Sequence, residues 1–539
     1  MLRLGLAGAG ALLIHLSFVV SLSAPLFRFP VDVLVLIASG LAGLGLLVVA
    51  GLGRPRVSLR WLILAACVGE IIIRSVVWAQ TTPSSDLVTI DPGLYTDLAG
   101  QLLRHGENPY AFDLSGAFDI YRVSRAGGTP RLDGTFTSSY PYPALPFVLV
   151  VPLQAAGLPG IFLVSLLAQI TALILLFLAS PKSAQPLILL PLVAGIDFTL
   201  PSLIGVVDVA WAALLVAMII AWRKPVERAI LFGLAIAFKQ TPLLLLPFLL
   251  VYLWRDEDGK RPVRRVGCFL LISAATFLFF NMPFILWDPH SWLLGVAEPI
   301  QDSLILLSQG GLSSLTQFGY LNLSKNFYLV VTIIILLLLL FIYWRHYHTL
   351  RDVFWVMPGI FMWFSYRSLE SYWVYWALPV LAVLVTRGAT PEKPARTPGW
   401  RLTLAILAIV AAATLASGVF LAPSPETVQV RVHFPVLMNE SGQVAQIPVE
   451  VTNLSDRVLT PRFALQHRFG TLNPLPWDID DGPASLAPGQ SAIYRISTGD
   501  NSRAFLAHEA AQVVVTDARG DYSLRGLATI VPDHSYLFP

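Results

Sequence analysis

Phe327-Tyr-Leu-Val-Val-Thr-Ile-Ile-Ile-Leu-Leu-Leu-Leu-Leu-Phe-Ile-Tyr343 runs between Lys325 and Arg345 without a single charge. A straight helix across the hydrocarbon core of a bilayer needs about 20 such residues, and the apolar run 326–344 supplies them. Working outward, comparable runs cover 4–24, 31–52, 61–79, 160–180, 186–200, 204–222, 226–240, 241–254, 263–286, 353–367, 372–387 and 402–421. Several are shorter than a full span. Short helices are tolerated where neighbours bury them or where they line a cavity.

Composition agrees. Of 539 residues, 55% are hydrophobic and 13% charged, and the mean hydropathy is +0.69. Soluble domains carry about 25% charged residues, so this chain has too little polar surface to cover a globule in water. Disorder and a cytosolic enzyme are excluded. The net charge of +3 gives nucleic-acid binding no support. Cys67 and Cys268 each lie in an apolar run and read as buried thiols; they make neither a disulfide framework nor a cysteine metal site. The run 4–24 follows Arg3 like a signal peptide, but a second run begins at Val31 with no tidy small-x-small site before it. It reads as a retained span, with a cleaved signal as the alternative.

Basic residues give the orientation. Arg54, Arg56 and Arg60 share one loop, and Arg223, Lys224 and Arg228 another. Arg255, Lys260, Arg261, Arg264 and Arg265 crowd a third; Arg345 and Arg351 mark a fourth, and Arg387, Lys393, Arg396 and Arg401 a fifth. Alternating spans put all five on one side if 141–157 is an interfacial helix, and the positive-inside rule makes that side the cytoplasm. The N-terminus is then cytoplasmic in a plasma-membrane protein. Outer loops 80–159 and 287–325 and the tail face out.

The expected fold is an α-helical polytopic membrane protein of about 13 spans with a C-terminal extracytoplasmic β-sandwich. Residues 1–60 hold two extra spans, and 61–421 form the main membrane domain. In 423–539, alternation as in Val428-Gln-Val-Arg-Val432, broken by turn signals such as Pro488-Gly489, reads as an antiparallel sandwich of Ig-like size.

The loop after the third span is rich in chemistry. It contains Asp86, then Asp91-Pro-Gly-Leu-Tyr95-Thr-Asp97, Leu103-Arg-His-Gly106-Glu-Asn108-Pro-Tyr110, and Tyr140-Pro-Tyr142-Pro-Ala-Leu145. Carboxylates just beyond a membrane exit can act as general bases for a substrate held at the lipid–water boundary. Asp also initiates turns, and Asp-Pro is an ordinary turn dipeptide. Composition alone leaves both readings open.

These motifs resemble the first outer loop of GT-C fold glycosyltransferases, above all glycosyltransferase family 87, the polyprenyl-phosphate-mannose-dependent α-mannosyltransferases and their relatives. The resemblance extends over roughly 61–387. Gly205-Val-Val-Asp208 is similar to the family's Gly-Gln-x-Asp/Asn, Lys239-Gln240-Thr-Pro242 to its Lys-x-x-Pro, and Gly310-Gly311-Leu-Ser313-Ser-Leu to its Gly-Asn-x-Ser-Leu. Val206 replaces the usual Gln, Gly311 the usual Asn, and the loop 111–138 is long. These departures bear on donor and acceptor identity.

The resemblance implies a sugar donor on a polyprenyl phosphate, a lipid or glycan acceptor, and inversion in one displacement. Such a step needs a base for the acceptor hydroxyl and a cation for the leaving phosphate. Asp91 matches the catalytic Asp, with Asp86 and Asp97 as runners-up. Lys239 is the catalytic candidate for contact with that phosphate, with snorkelling to the headgroups as the alternative. Asp208 is an N-cap or a metal or sugar ligand. Tyr95, Asn108, Tyr110, Tyr140, Gln240 and Arg367 complete the candidate substrate-binding set, Arg367 as a phosphate or headgroup ligand. A divalent metal is the one cofactor left open, with no ligand set assigned.

Other polar residues read as structural. Glu70 and Arg74, four apart on one helix, form an expected ion pair. His105 and His290 lack metal-ligand spacing. Trp355, Trp363, Tyr372, Trp373, Tyr375 and Trp376 read as an interfacial belt, with a sugar-stacking platform as the alternative. A transporter or flippase of a lipid-linked saccharide is the alternative, but it would line several spans with polar residues. Here they gather in the outer loops and at outer helix ends. A receptor acting through its β-domain would leave the loop motifs without a purpose.

Overall fold

The computed structural model describes residues 1–22, 30–51, 57–81, 88, 90–123, 127–129, 131, 135–193, 198–255, 262–300, 311–317, 323, 325–387, 427–433, 437–438, 443–467, 475–498, 505–506, 511–518 and 524–530. Asp86, Gly310, the expected span 402–421 and most of the basic loop 387–401 lie outside them.

Among the described residues, four helices are long and apolar enough to cross a membrane: Arg60–Ala79, Gly160–Ala179, Pro262–Trp287 and Lys325–Arg345. Their outer surfaces are apolar. Leu271 and Phe279 are 71% and 74% exposed, a surface that water would not tolerate and that lipid requires. The chain is an integral membrane protein. Cys268 is on such a surface, so only Cys67 is buried; the expectation of two buried thiols holds for one.

Ahead of these, Leu2–Leu22 and Pro30–Gly51 form an antiparallel hairpin, with Arg3 Nε donating to the Ala50 carbonyl at 2.9 Å. The Glu70–Arg74 pair forms as expected, Nε to Oε1 at 2.6 Å.

The expected run 186–200 is not one span. It breaks into a 3-10 turn Gln185–Leu189 and the short helices Leu190–Val193 and Leu200–Leu203. Pro186, Pro191 and Pro201 each remove a backbone donor there. The run 353–367 likewise gives only a turn, Val353–Trp355, and the helix Met357–Met362. Pro225–Phe238 and Leu246–Arg255 are half-length helices around a 3-10 turn, Thr241–Leu245.

The expected interfacial belt is corrected at three of its six rings. Trp355, Tyr375 and Trp376 are buried; Trp376 Nε1 donates to the Trp355 carbonyl at 2.6 Å, and its ring packs on Trp211 at 5.3 Å. Large rings with one donor fill a core well once that donor is satisfied.

The tail has strands β1 (Val428–Val432), β2 (Leu437–Met438), β3 (Gln443–Asn453), β4 (Pro461–His467), β5 (Leu475–Asp481), β6 (Ser491–Ser497), β7 (Phe505–Leu506), β8 (Ala511–Asp517) and β9 (Arg525–Ile530). All pairings are antiparallel. The order β1-β3-β6-β5-β4-β8-β9 is one continuous path, with β2 and β7 on β3. The two ends of the path meet, because Gly526 of β9 packs directly on the Val428 carbonyl of β1. The domain is therefore barrel-like, where two separate Ig-like sheets were expected. Val449, Tyr494, Ile496, Val513 and Val515 fill its interior.

Candidate active site

The site begins at the first turn of the helix Asp91–Arg104, where Pro92 presets helical φ. Asp91 Oδ2 accepts the Thr129 N–H at 3.0 Å and the Thr137 hydroxyl at 3.3 Å. Thr129 and Thr137 face one another across a hairpin, with Thr137 N–H on the Thr129 carbonyl at 2.9 Å and Arg131 N–H on the Thr135 carbonyl at 2.7 Å. Burial pushes the Asp91 carboxyl above the ordinary range, while Thr129, Arg367 and Thr137 pull it back. A carboxylate shifted this way is a stronger base once ionised.

Gly93, in the same turn, packs on Gly205. A Cβ on Gly93 would lie 2.8 Å from Gly205 Cα, and Gly205 itself has φ +109°. Only glycine tolerates both demands. The contact brings Gly205-Val-Val-Asp208 against the Asp91 turn. Asp208 is the first residue of the helix Asp208–Ile220, whose N-cap is Val207, so the N-cap reading is corrected by one position. Its Oδ1 accepts Trp211 Nε1 at 2.6 Å, and its Oδ2 accepts Lys239 Nζ at 2.7 Å. Both carboxylate oxygens are engaged within the protein.

Lys239 caps the helix Pro225–Phe238 in extended conformation. It is 6% exposed and does not snorkel. Its Nζ also lies over the rings of Tyr142 at 5.1 Å and Tyr372 at 5.2 Å, a cation held between two aromatic faces. Burial, then Asp91 and Asp208, push the Tyr142 hydroxyl well above its ordinary range, while Arg367 draws it back. Tyr142 thus lies within the field of both carboxylates.

Arg367 occupies the turn before the helix Glu370–Arg387 and interacts electrostatically with Asp91 and Tyr142. Its Nε is buried without a hydrogen-bond partner among the described residues. Gly311, at φ +86°, docks beside this turn. A Cβ there would meet the Trp363 carbonyl at 2.6 Å, and Leu312 N–H donates to that carbonyl at 2.7 Å.

Asp91, Asp208, Lys239 and Arg367 therefore come together. Tyr95, Tyr110 and Tyr140 form a buried frame behind them. The Tyr95 hydroxyl donates to the Thr137 carbonyl, and Tyr110 to the Tyr142 carbonyl at 2.8 Å. The Tyr140 hydroxyl meets Thr96 Oγ1 at 3.3 Å. Asn108 Oδ1 caps the turn Pro109–Ala111 through Tyr110 N–H at 3.1 Å. Gln240 Nε2 donates at 2.8 Å to the carbonyls of both Pro141 and Val296, tying the Tyr140-Pro-Tyr142-Pro segment to the helix Pro289–Ala297.

Asp97 points elsewhere. Its Oδ1 accepts the Ile161 N–H at 2.9 Å, at the start of the helix Gly160–Ala179. Burial pushes it up to about 7, with that hydrogen bond lowering it. It lines a separate pocket of about 170 Å³ with Gln101, Tyr121 and Gln154. His105 is exposed. Among the described residues, no three His, Cys, Asp or Glu side chains gather as a metal site would require.

Sequence reading missed four members of this cluster. Tyr142 lay in plain view inside Tyr140-Pro-Tyr142-Pro, and Tyr372 was assigned to the belt. Thr129 and Thr137 lie in the long loop 111–138 and carry no local signal.

No curated protein matches the chain. Among solved structures it is similar to "Crystal Structure of ArnT from Cupriavidus metallidurans bound to Undecaprenyl phosphate", at 17% identity and a TM-score of 0.36. The similarity covers 65% of this chain and 64% of that one, so the chain spans less than two thirds of its length. Residues 140–368 match the profile of glycosyltransferase family 87. That stretch holds Tyr140, Asp208, Lys239, Gln240 and Arg367 and starts after Asp91. Of the motifs that carry the resemblance, those from Tyr140 onward lie within this match to glycosyltransferase family 87.

Proposed function

We propose that the chain is a membrane glycosyltransferase that moves a mannose-like hexose from a polyprenyl phosphate to a lipid or glycan acceptor at the outer face of the plasma membrane. One observation carries this reading. Segments far apart in sequence, at Asp91, Gly205–Asp208, Lys239 and Arg367 with Gly311 docked beside it, converge on one cluster holding two carboxylates and two cations.

Asp91 takes the proton of the acceptor hydroxyl as its oxygen bonds the anomeric carbon. The bond from that carbon to the phosphate oxygen breaks in the same displacement, inverting the centre. The departing phosphate gains charge, and a preformed cation stabilises it most at the transition state. Arg367 is the better placed to meet it, with a guanidinium nitrogen unpartnered among the described residues and a fork suited to phosphate. Lys239 acts from behind, its charge shared with Asp208. Tyr95, Tyr110, Tyr140 and Asn108 hold the frame, and Gln240 ties the outer loops over it.

Membranes carrying the protein should be offered polyprenyl-phosphate mannose and nucleotide mannose, each radiolabelled, in parallel. Label entering lipid or glycan from the polyprenyl donor supports the reading. Incorporation from the nucleotide sugar alone, with polyprenyl-phosphate synthesis blocked, contradicts it.

A further inference from the structure

Arg131 and Glu298 form an ion pair between the two outer loops. Glu298 is only 2% exposed. The pair is incompletely satisfied, because Arg131 Nε and Glu298 Oε2 are buried with no hydrogen-bond partner among the described residues. A buried ion pair gains little stability over apolar residues of the same volume, and a half-satisfied one gains less. Its best-attested use is to fix register between two elements.

The elements it joins are informative. Arg131 sits in the hairpin whose Thr129 N–H and Thr137 hydroxyl hold Asp91. Glu298 opens the turn Glu298–Ile300. That turn is anchored on the opposite side of the site: Gln240 holds the Val296 carbonyl at 2.8 Å, and the Tyr366 hydroxyl donates to the Pro299 carbonyl at 2.9 Å. Tyr366 precedes Arg367. A chain of contacts therefore runs from the Arg367 turn through Pro299, Glu298 and Arg131 to the hairpin and on to Asp91.

We propose that the Arg131–Glu298 pair is a positioning device that clamps the second outer loop onto the hairpin and so fixes the two hydrogen bonds held by the Asp91 carboxylate. Arg131 and Glu298 act through the hairpin, and neither need touch substrate. The inference rests on the proposed function only in taking Asp91 as the base. Three other groups face Asp91: Arg367 from the turn before the helix Glu370–Arg387, Tyr95 from its own helix and Tyr142 from the Tyr-Pro-Tyr-Pro segment. Both hairpin hydrogen bonds favour the ionised carboxylate. Loosening them should raise its pKa and move the acidic limb of the rate profile to higher pH.

The test uses the full-length protein in membranes with Glu298→Gln, the conservative Glu298→Asp, and the exchange Arg131→Glu with Glu298→Arg. Glu298→Gln should lower kcat by about 10-fold or more, since small misplacements of a catalytic group are costly, while donor KM changes little. The acidic limb should move up. Glu298→Asp and the exchange should each regain much of the loss. Independently of turnover, the infrared band of protonated Asp91, identified by difference from Asp91→Asn, should titrate at higher pH in Glu298→Gln than in the parent. An unmoved band and unmoved pH limb in Glu298→Gln would overturn the proposal. If the parent transfers no sugar at all, the functional reading fails, and the infrared titration still decides the positioning role.

Discussion

Lys239 and Asp208, 31 positions apart, meet at 2.7 Å with both side chains buried. The Lys that sequence assigned to a departing phosphate already owns a counter-ion. Two aromatic faces, those of Tyr142 and Tyr372, enclose it further. The pair joins the helix end at Phe238 to the helix start at Asp208, so its charge balance and its place in the site are coupled.

Removing one partner strands a buried charge, which typically costs about 3–5 kcal/mol. Asp208→Asn and Lys239→Met should each lower the unfolding temperature in detergent by several degrees. The double variant should regain most of that stability and none of the activity. Thermal scans and sugar-transfer assays on the three variants check this. Full activity in the double variant would reduce the pair to scaffolding.

Asp97 gives a contrast on the same helix. Its ordinary pKa is about 3.9, and burial lifts it to about 7. The folded state therefore favours the protonated acid. The stability this contributes is fully present below the unfolded value and is lost as pH rises through about 7. Asn keeps the acceptor for the Ile161 N–H and carries no charge. Asp97→Asn should match the parent in stability near pH 3.5, exceed it by a few degrees at pH 8, and keep transfer activity within a few-fold. Unfolding curves at the two pH values measure the first two, and loss of turnover would return Asp97 to the list of bases.

Much of this was legible in the chain and some was not. Apolar runs give the membrane class directly, because bilayer thickness sets their length. Pro186, Pro191 and Pro201 mark where one expected span breaks, a signal visible in sequence but masked by the surrounding Leu and Ile. Motif order brought Asp91, Asp208 and Lys239 into view as candidates, and Arg367 came from its place in the turn before Tyr372-Trp373. Their pairing was hidden, since a contact across 31 residues depends on which helix ends the fold brings together. The burial of Trp355, Tyr375 and Trp376 was hidden for the same reason: an aromatic at a helix end looks alike whether the end faces headgroups or a neighbouring helix.

Topology is tested by labelling. Basic loops should be cytoplasmic and the β-domain outside. In a background with Cys268→Ser, which removes the exposed thiol, cysteines at Ser115 and Ser485 should react with an impermeant reagent in intact cells. One at Ser58 should react only after lysis. The reverse pattern inverts the orientation and puts the Asp91 cluster on the cytoplasmic side.

The central claim is that Asp91 accepts the proton of the attacking hydroxyl, and Asp91→Asn tests it most directly. The amide keeps the shape but cannot take a proton, and a general base contributes a factor of about 10²–10⁴. Sugar transfer from a labelled polyprenyl-phosphate donor should fall by that order in membranes holding equal amounts of parent and variant, with unfolding temperature little changed. Transfer within a few-fold of the parent would contradict the account.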